Sequence, residues 1–419
     1  MNNENLLQAL EAYASEGWAP FHMPGHKRNP ALGDSLPYQL DITEIAGFDN
    51  LQEPRGILLE LSRRAAAHWG CDDAWVSVNG GTGAVLAGMH AMTKRGDTVL
   101  AARNCHMSVF HAVELCGLRP VFLEPEWLPD WGIYGAVSQA TLDEALRAQK
   151  EAALCVLTSP TYEGVLSPVE CPIPLFVDAA HGAHLPLPGG DLAAVSLHKT
   201  LPALTQTALL LARGPRADRE RVSRAMRVFQ TSSPSYVLLA SAARCIDLLE
   251  ARGAAWFKAW AERLDAFYDR ARQWRNLRLF DQAHDRGKLL LRCHAGYAVD
   301  FLRSRRIEPE YARGNLLLLM TSCCDTPEAM ARLTDALDAL DGECPEAPAP
   351  APRPAAIPPG TCLRVPDGWE TVPVRQAHGR ICAEYAAEYP PGVPLYVPGQ
   401  RITDTEGLRG QKVIRVARE

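Results

Sequence analysis

Two charged residues stand where apolar runs end, and their types suit chemistry on a bound molecule. The run LFVDAAHGAH puts Asp178 at the end of an apolar stretch. A lone buried carboxylate is costly, so this one needs a partner. The run AAVSLHKT puts Lys199 just past another apolar stretch, about one connection and one strand later. A lysine partly desolvated at a strand end has a lowered pKa, and its neutral amine is a nucleophile. A plain Asp178–Lys199 salt bridge fits the same spacing. A third feature is VSVNGGTGAVLAG, with Gly80, Gly81, Thr82 and Gly83 between an apolar run and a helical one. Glycines let a backbone approach a ligand, and a helix start offers free N–H groups, which together suit a phosphate. A tight turn with no ligand reads the same way. The motif is neither GxGxxG nor GxxxxGK[ST], so it does not meet the nucleotide fingerprints.

These residues need a scaffold, and the chain alternates. Ala74–Val78, Thr98–Ala102, Pro120–Leu123, Leu154–Leu157, Leu175–Val177, Ala193–Ser196 and Thr207–Ala212 are short apolar runs. Helix-like segments such as Thr82–Lys94, Ser108–Cys116 and Gln139–Lys150 lie between several of them. The alternation implies an α/β architecture, a mostly parallel sheet covered on both faces. Ligands sit at the carboxyl ends of such strands, and all three features fall there. A phosphate turn, an aspartate and Ser-x-His-Lys are the parts a pyridoxal 5′-phosphate site needs. The lysine forms the Schiff base, the aspartate keeps the ring nitrogen protonated, and the glycine turn holds the phosphate.

From about Ser235 the pattern changes. Long helical stretches run through Trp274, with Leu238, Ala242, Cys245 and Leu249 at helical spacing. Then Leu289–Cys293, a helix, Leu316–Thr321 and a further helix form a smaller α+β unit ending near Leu340. Residues 343–360 carry seven prolines in eighteen positions and read as an extended linker. The remaining sixty or so residues bury only a marginal core by themselves, so the tail is expected to pack on the body or on a partner subunit. The expected division is 1–40, an N-terminal arm; 41–240, a large cofactor-binding domain; 241–342, a small α+β domain; 343–360, the linker; and 361–419, a C-terminal domain.

Composition narrows the function. The chain has 419 residues, 47% hydrophobic and 22% charged, as globular proteins do. A net charge of −6 gives no basic footprint for nucleic acid. Purely apolar runs such as Leu316–Met320 are far too short to span a membrane. The start MNNENLLQALEAYASEGW has neither a basic opening nor an apolar core, so a cytoplasmic protein is expected. Twelve scattered cysteines without a CxxC pair read as reduced thiols.

Several stretches together resemble the Orn/Lys/Arg decarboxylase family in its compact form, without the N-terminal regulatory domain. They are FHMPGHKRN (21–29), DITEIAGFDNLQEPRG (41–56), VNGGTG (78–83), RNCHMSVFHAVELCGLRPV (103–121) and SPTYEGV (159–165). VDAAHGAH (177–184), SLHKT (196–200), QTSSPSYVLLAS (230–241) and YPPGVPLYVPGQRI (389–402) complete the set. The resemblance implies a fold type I pyridoxal-phosphate enzyme, working as a homodimer or larger homo-oligomer with shared active sites. It makes Lys199 the Schiff-base lysine, Asp178 the partner of the pyridine nitrogen and His106 the residue stacked on the ring. It implies phosphate contacts from Gly81, Thr82, Gly83, Ser196 and His198, with Ser232 and Ser233 reaching the cofactor of the neighbouring subunit. Ala180 becomes the small residue against the ring. His22 and His26 would line the site entrance, and Glu384 with the tail motif would shape substrate selection. His181 and His184 have HxxH spacing, but beside Asp178 they are expected to organise the pocket, and no metal is expected.

The chain departs from the family pattern at Met107, Ala179, Leu197 and Gln400, where the family often has Lys, Glu, Thr and Glu. These departures leave substrate identity open, because lost charges near a pocket change how a basic side chain is held. The expected activity is decarboxylation of arginine, lysine or ornithine to the amine and carbon dioxide. The alternatives are an aminotransferase, lyase or aldolase on the same fold, or a non-catalytic cofactor-binding paralogue.

Overall fold

The computed structural model describes residues 16–21, 25, 27, 29, 43–44, 48–187, 189–361, 363–387, 389–408 and 410–418. A short strand, β1 (Ala19–Phe21), precedes the body. The large sheet contains β2 (Asp73–Ser77), β3 (Thr98–Ala102), β4 (Arg119–Leu123), β5 (Ala152–Thr158), β6 (Leu175–Asp178), β7 (Leu192–Ser196) and β8 (Ala208–Ala212). Their order across the sheet is β2-β8-β7-β6-β5-β3-β4. Every pairing is parallel except the two made by β8. Strands buried on both faces need apolar residues throughout, and β6, β7 and β8 are buried at every position.

The helices that cover this sheet are α1 (Ile57–His68), α2 (Gly80–Met92), α3 (Met107–Cys116), α4 (Gln139–Ala148), α5 (Leu197–Thr200) and α6 (Arg219–Phe229). The glycine turn is itself the first turn of α2, which starts two residues earlier than the apolar pattern suggests. The long helical stretch is one helix, α7 (Tyr236–Ala271). Its residues up to Leu249 pack in the large core, while Trp260, Leu264, Phe267 and Ala271 pack in a second core. The body therefore passes from one core to the other inside a single helix. That second core lies under an antiparallel sheet of β9 (Arg278–Leu279), β10 (Lys288–Arg292), β12 (Tyr311–Arg313) and β13 (Leu316–Met320), ordered β9-β10-β13-β12. Helices α8 (Ala295–Ser304) and α9 (Pro327–Glu343) accompany it. Strand β11 (Ile307–Pro309) pairs in parallel with β1, so residues 19–21 are tied to the small unit.

The Pro-rich linker carries no regular element, but it packs on the body. Ile357 joins the large core, and Gly132 has no room for a Cβ, which would lie 2.7 Å from Ala351 N. Beyond it, β14 (Trp369–Pro373) and β15 (Val413–Ala417) form an antiparallel pair around a third small core. Every cysteine among the described residues is a free thiol. No helix among them is long and apolar enough to cross a membrane.

Candidate active site

Strand β8 runs against both neighbours, so β2, β7, β6 and β3 all point their carboxyl ends to one edge of the sheet. Asp178 closes β6 and is 2% exposed. Its Oδ1 accepts the Ala180 N–H at 3.2 Å. Alongside, β7 ends at Ser196 and the chain turns at once into α5, a single helical turn that carries Lys199. The Lys199 amine is not ion-paired with Asp178. It lies 2.9 Å from His181 Nε2, and Asp178 acts on it through space. Burial pushes the amine below its ordinary pKa, against the opposing pull of Asp178 and Glu310.

His106 follows β3 and caps α3, its Nδ1 accepting the Ser108 N–H at 3.2 Å. Its Nε2 lies 3.0 Å from the Tyr389 hydroxyl, and the Met107 N–H donates to Gly392 O. Gly392 has φ +74°, and a Cβ there would lie 3.0 Å from the His106 ring. The tail motif therefore closes directly on this histidine. Burial lowers the His106 pKa; Asp178 opposes the shift and Lys199 adds to it.

The residues fit a phosphorylated cofactor. Ser196 Oγ is buried with no hydrogen-bond partner, and a Cβ on Gly81 would come within 2.7 Å of it. The α2 N-terminus beside it has no side-chain cap on Asn79; Gln206 O takes the Gly80 N–H, and the N–H groups of Gly81 and Thr82 are left for an anion. Asp178 is a buried carboxylate suited to a protonated ring nitrogen. Thr82 is exposed at the same helix start. Gly83 serves packing, since its Cβ would lie 2.8 Å from Asn79 Cβ.

Other expected residues fall differently. His198 points to the Thr207 carbonyl, 3.1 Å from its Nδ1. Ser232 and Ser233 are exposed on the loop after α6. Glu384 accepts the Arg415 N–H at 2.8 Å, so its carboxylate is engaged within the C-terminal unit. His22 and His26 lie outside the described residues. Between them, Gly25 donates to the His198 carbonyl, and a Cβ there would lie 2.6 Å from Leu201 N. Gly25 itself thus lies directly on the turn carrying Lys199. The departures from the family pattern mostly serve packing. Ala179 and Leu197 are fully buried in the large core, and Gln400 holds the linker by donating to Ala356 O. Met107 is the first residue of α3.

His181 and His184 have separate partners. His184 Nε2 lies 3.1 Å from Asp285 Oδ1, both deeply buried. His181 stands between two amines, with Lys199 on Nε2 and Lys288 at 2.7 Å on Nδ1. Lys288 did not stand out in the sequence, though GKLLLRC shows a lysine heading an apolar strand.

The profile of the Orn/Lys/Arg decarboxylase major domain matches residues 5–278, and that of its C-terminal domain matches 351–414. The chain belongs to the Orn/Lys/Arg decarboxylase family. It is accordingly a pyridoxal-phosphate-dependent amino-acid decarboxylase. The uncharacterized protein YaaO of Bacillus subtilis (strain 168) is 32% identical over 445 residues, 96% of this chain and 92% of its own. The arginine decarboxylase of the same organism is 28% identical over 462 residues, 95% of this chain and 91% of its own. The constitutive lysine decarboxylase of Escherichia coli (strain K12) matches 56% of this chain and 39% of its own length, at 27% identity. Among solved structures, the Francisella novicida lysine decarboxylase LdcF superposes with TM-score 0.71 at 17% identity, covering 88% of this chain and 73% of its own. That likeness gives the fold, type I of the pyridoxal-phosphate enzymes. The decarboxylase is thus α/β with a mostly parallel central sheet and a C-terminal domain.

Proposed function

We propose that this decarboxylase acts on arginine, giving agmatine and carbon dioxide, with lysine and ornithine as the alternative substrates. The observation that carries the reaction is the gathering of Lys199, Asp178, His106 and the Ser196–Gly81 cradle at one sheet edge. The choice of arginine rests on the relatives that match over nearly the full length and bear that name.

The cofactor supplies a sink for the electron pair left behind when carbon dioxide departs. Lys199 would hold it through its aldehyde carbon, Asp178 would keep the ring nitrogen protonated, and His106 would cover one face. Gly81, Thr82 and the free N–H groups of α2, with the Ser196 hydroxyl, would bind the phosphate. Ala180 leaves room beside the ring. Ser232 and Ser233 are exposed as a cross-subunit phosphate contact requires, which supports a homodimer or larger assembly. Tyr389 holds the outer edge of His106 and narrows the approach for water. The division into arm (1–40), large domain (41–240), small domain (241–342), linker and C-terminal domain (361–419) follows these roles. A cytoplasmic place in polyamine synthesis or acid consumption suits such a product.

The test is carbon dioxide release from cofactor-loaded protein given arginine, lysine or ornithine without a keto acid. Release with arginine is the expected result. Release only with lysine or ornithine overturns the choice of substrate. Silence with all three overturns the decarboxylation of basic amino acids.

A further inference from the structure

Lys288 is a second buried amine beside the cofactor lysine. It opens β10 and is 1% exposed, and its Nζ lies 2.7 Å from His181 Nδ1 and 3.3 Å from Met320 Sδ. The other ring nitrogen of His181 faces Lys199 Nζ at 2.9 Å, and the ring itself is 6% exposed. Lys199, His181 and Lys288 thus form one continuous chain of nitrogens.

Proton counting restricts the charges in this chain. A neutral imidazole has one N–H and one lone pair. Its N–H must point at an amine that accepts, and only a neutral amine can accept. A protonated ring would need two such amines. One of the two lysines is therefore neutral whenever both hydrogen bonds exist. Burial and the two neighbouring amines hold His181 neutral, well below its ordinary pKa.

We propose that His181 and Lys288 form a proton relay that takes the proton from Lys199 and leaves its amine free to bond. Lys199 gives a proton to His181 Nε2 as Nδ1 passes its own proton to the Lys288 lone pair. The N–H bond on Lys199 breaks and one forms on Lys288. The ring ends neutral as the other tautomer, and total charge is unchanged. The reverse transfer returns a proton to Lys199 once it is released. Burial lowers Lys288 to about 8, against Asp285 and Glu310, so it can both accept and return a proton near neutrality. The groups facing Lys288 are His181, Asp285, Glu310, Lys199, Glu163 and Tyr162, whose ring centroid lies 5.5 Å away. Asp285 is engaged by His184, and Glu310 accepts from the Tyr162 hydroxyl. Neither carboxylate is a hydrogen-bond partner of Lys288, so its amine is not locked as an ammonium ion.

The relay rests on Lys199 being the cofactor lysine, and one experiment separates the two. Apoprotein is mixed with pyridoxal 5′-phosphate across about pH 6 to 10, within the range where amines in this site titrate. The rise of visible absorbance gives the rate of capture. Borohydride reduction and peptide mass then identify the lysine. Wild-type protein should trap at Lys199. Lys288→Met and Lys288→Arg should each move the pH of half-maximal capture up by about one unit, slowing capture about tenfold near pH 7. The arginine variant carries a fixed positive charge and accepts no proton. If it captures as wild type does, charge alone is at work and the relay is overturned; unchanged capture by Lys288→Met overturns it too. Label on a lysine other than Lys199 overturns the assignment beneath it. Should Lys288→Met not fold, His181→Gln breaks the chain at its centre and should show the same upward shift.

Discussion

A lysine amine forms a covalent bond only when neutral, and the surroundings of Lys199 favour that form. Burial disfavours the ammonium ion, and the hydrogen bond goes to a neutral imidazole instead of a carboxylate. Lys199→Ala removes the amine that α5 places at the sheet edge beside Asp178. The purified variant should lack the visible cofactor absorbance of wild type, and a persisting band would assign the linkage to another lysine. Asp178→Asn keeps the shape of a 2%-exposed side chain and loses its charge. It should retain cofactor while turnover falls about 10²- to 10³-fold, the usual scale for removing one preorganised electrostatic group. Wild-type turnover in that variant would rule out a role for Asp178 in holding the ring nitrogen protonated. Both residues were legible in the sequence because a charge at the end of an apolar run is an anomaly visible in one dimension. The bridging place of His181 was not. It depends on Lys288, 107 positions away, and no local pattern joins them.

At the level of elements, the strands were the most legible, since a doubly buried strand must be a short apolar run. Helix starts were less so, because the groups that fix them lie outside the helix. Helix α1 begins after Gly56, which offers no side-chain cap. Asp49 supplies it from seven residues upstream, accepting the N–H groups of Gly56 at 2.7 Å and Leu58 at 3.1 Å, with Arg55 and Asn50 beside them. Burial alone would raise the Asp49 pKa. The four backbone N–H bonds outweigh it and hold the carboxyl at about 2, against 3.8 for a free carboxyl. A depressed carboxyl stabilises the fold above its unfolded pKa and loses that contribution as pH falls through its folded one. Asp49→Ala should therefore cost about 1–2 kcal/mol at pH 7, the range for a lost helix cap. Thermal melting should show the gap from wild type closing between about pH 4 and pH 2. A gap that stays constant across that window would mean that Asp49 acts through packing and not through its charge.

Across the whole molecule, four hydrophobic cores must be held together, one of them packing Trp131, Tyr162 and Val165 of the large domain against Leu290, Leu316 and Leu318 of the small sheet. The Pro-rich linker was legible as a break in pattern, but its path along the body was not, because proline content fixes local stiffness and leaves docking open. Two further joints stand out. Helix α7 crosses from the large core to the second, and Arg103 fastens the C-terminal unit to the large domain. Arg103 is fully buried just past β3, and its guanidinium donates to Pro394 O at 2.7 Å and Leu395 O at 2.9 Å. Those carbonyls directly follow the YPPG turn whose Tyr389 meets His106. The same arginine thus holds both the tail and the cover of the candidate active site. Arg103→Ala leaves two carbonyls without their donor and opens a cavity, at a cost of about 1–3 kcal/mol. The loss should concentrate on the tail, since the large sheet keeps its own core. Limited proteolysis should then cut within residues 343–360 faster in the variant than in wild type, while the 48–340 body stays intact. Cofactor should still bind, because Lys199, Asp178 and the Ser196 cradle belong to the body. Turnover should fall as His106 loses its Tyr389 contact, and Tyr389→Phe should reproduce part of that fall without the change in proteolysis. If Arg103→Ala destabilised the body and the tail equally, the tail would be an integral part of the large domain and not a unit latched onto it.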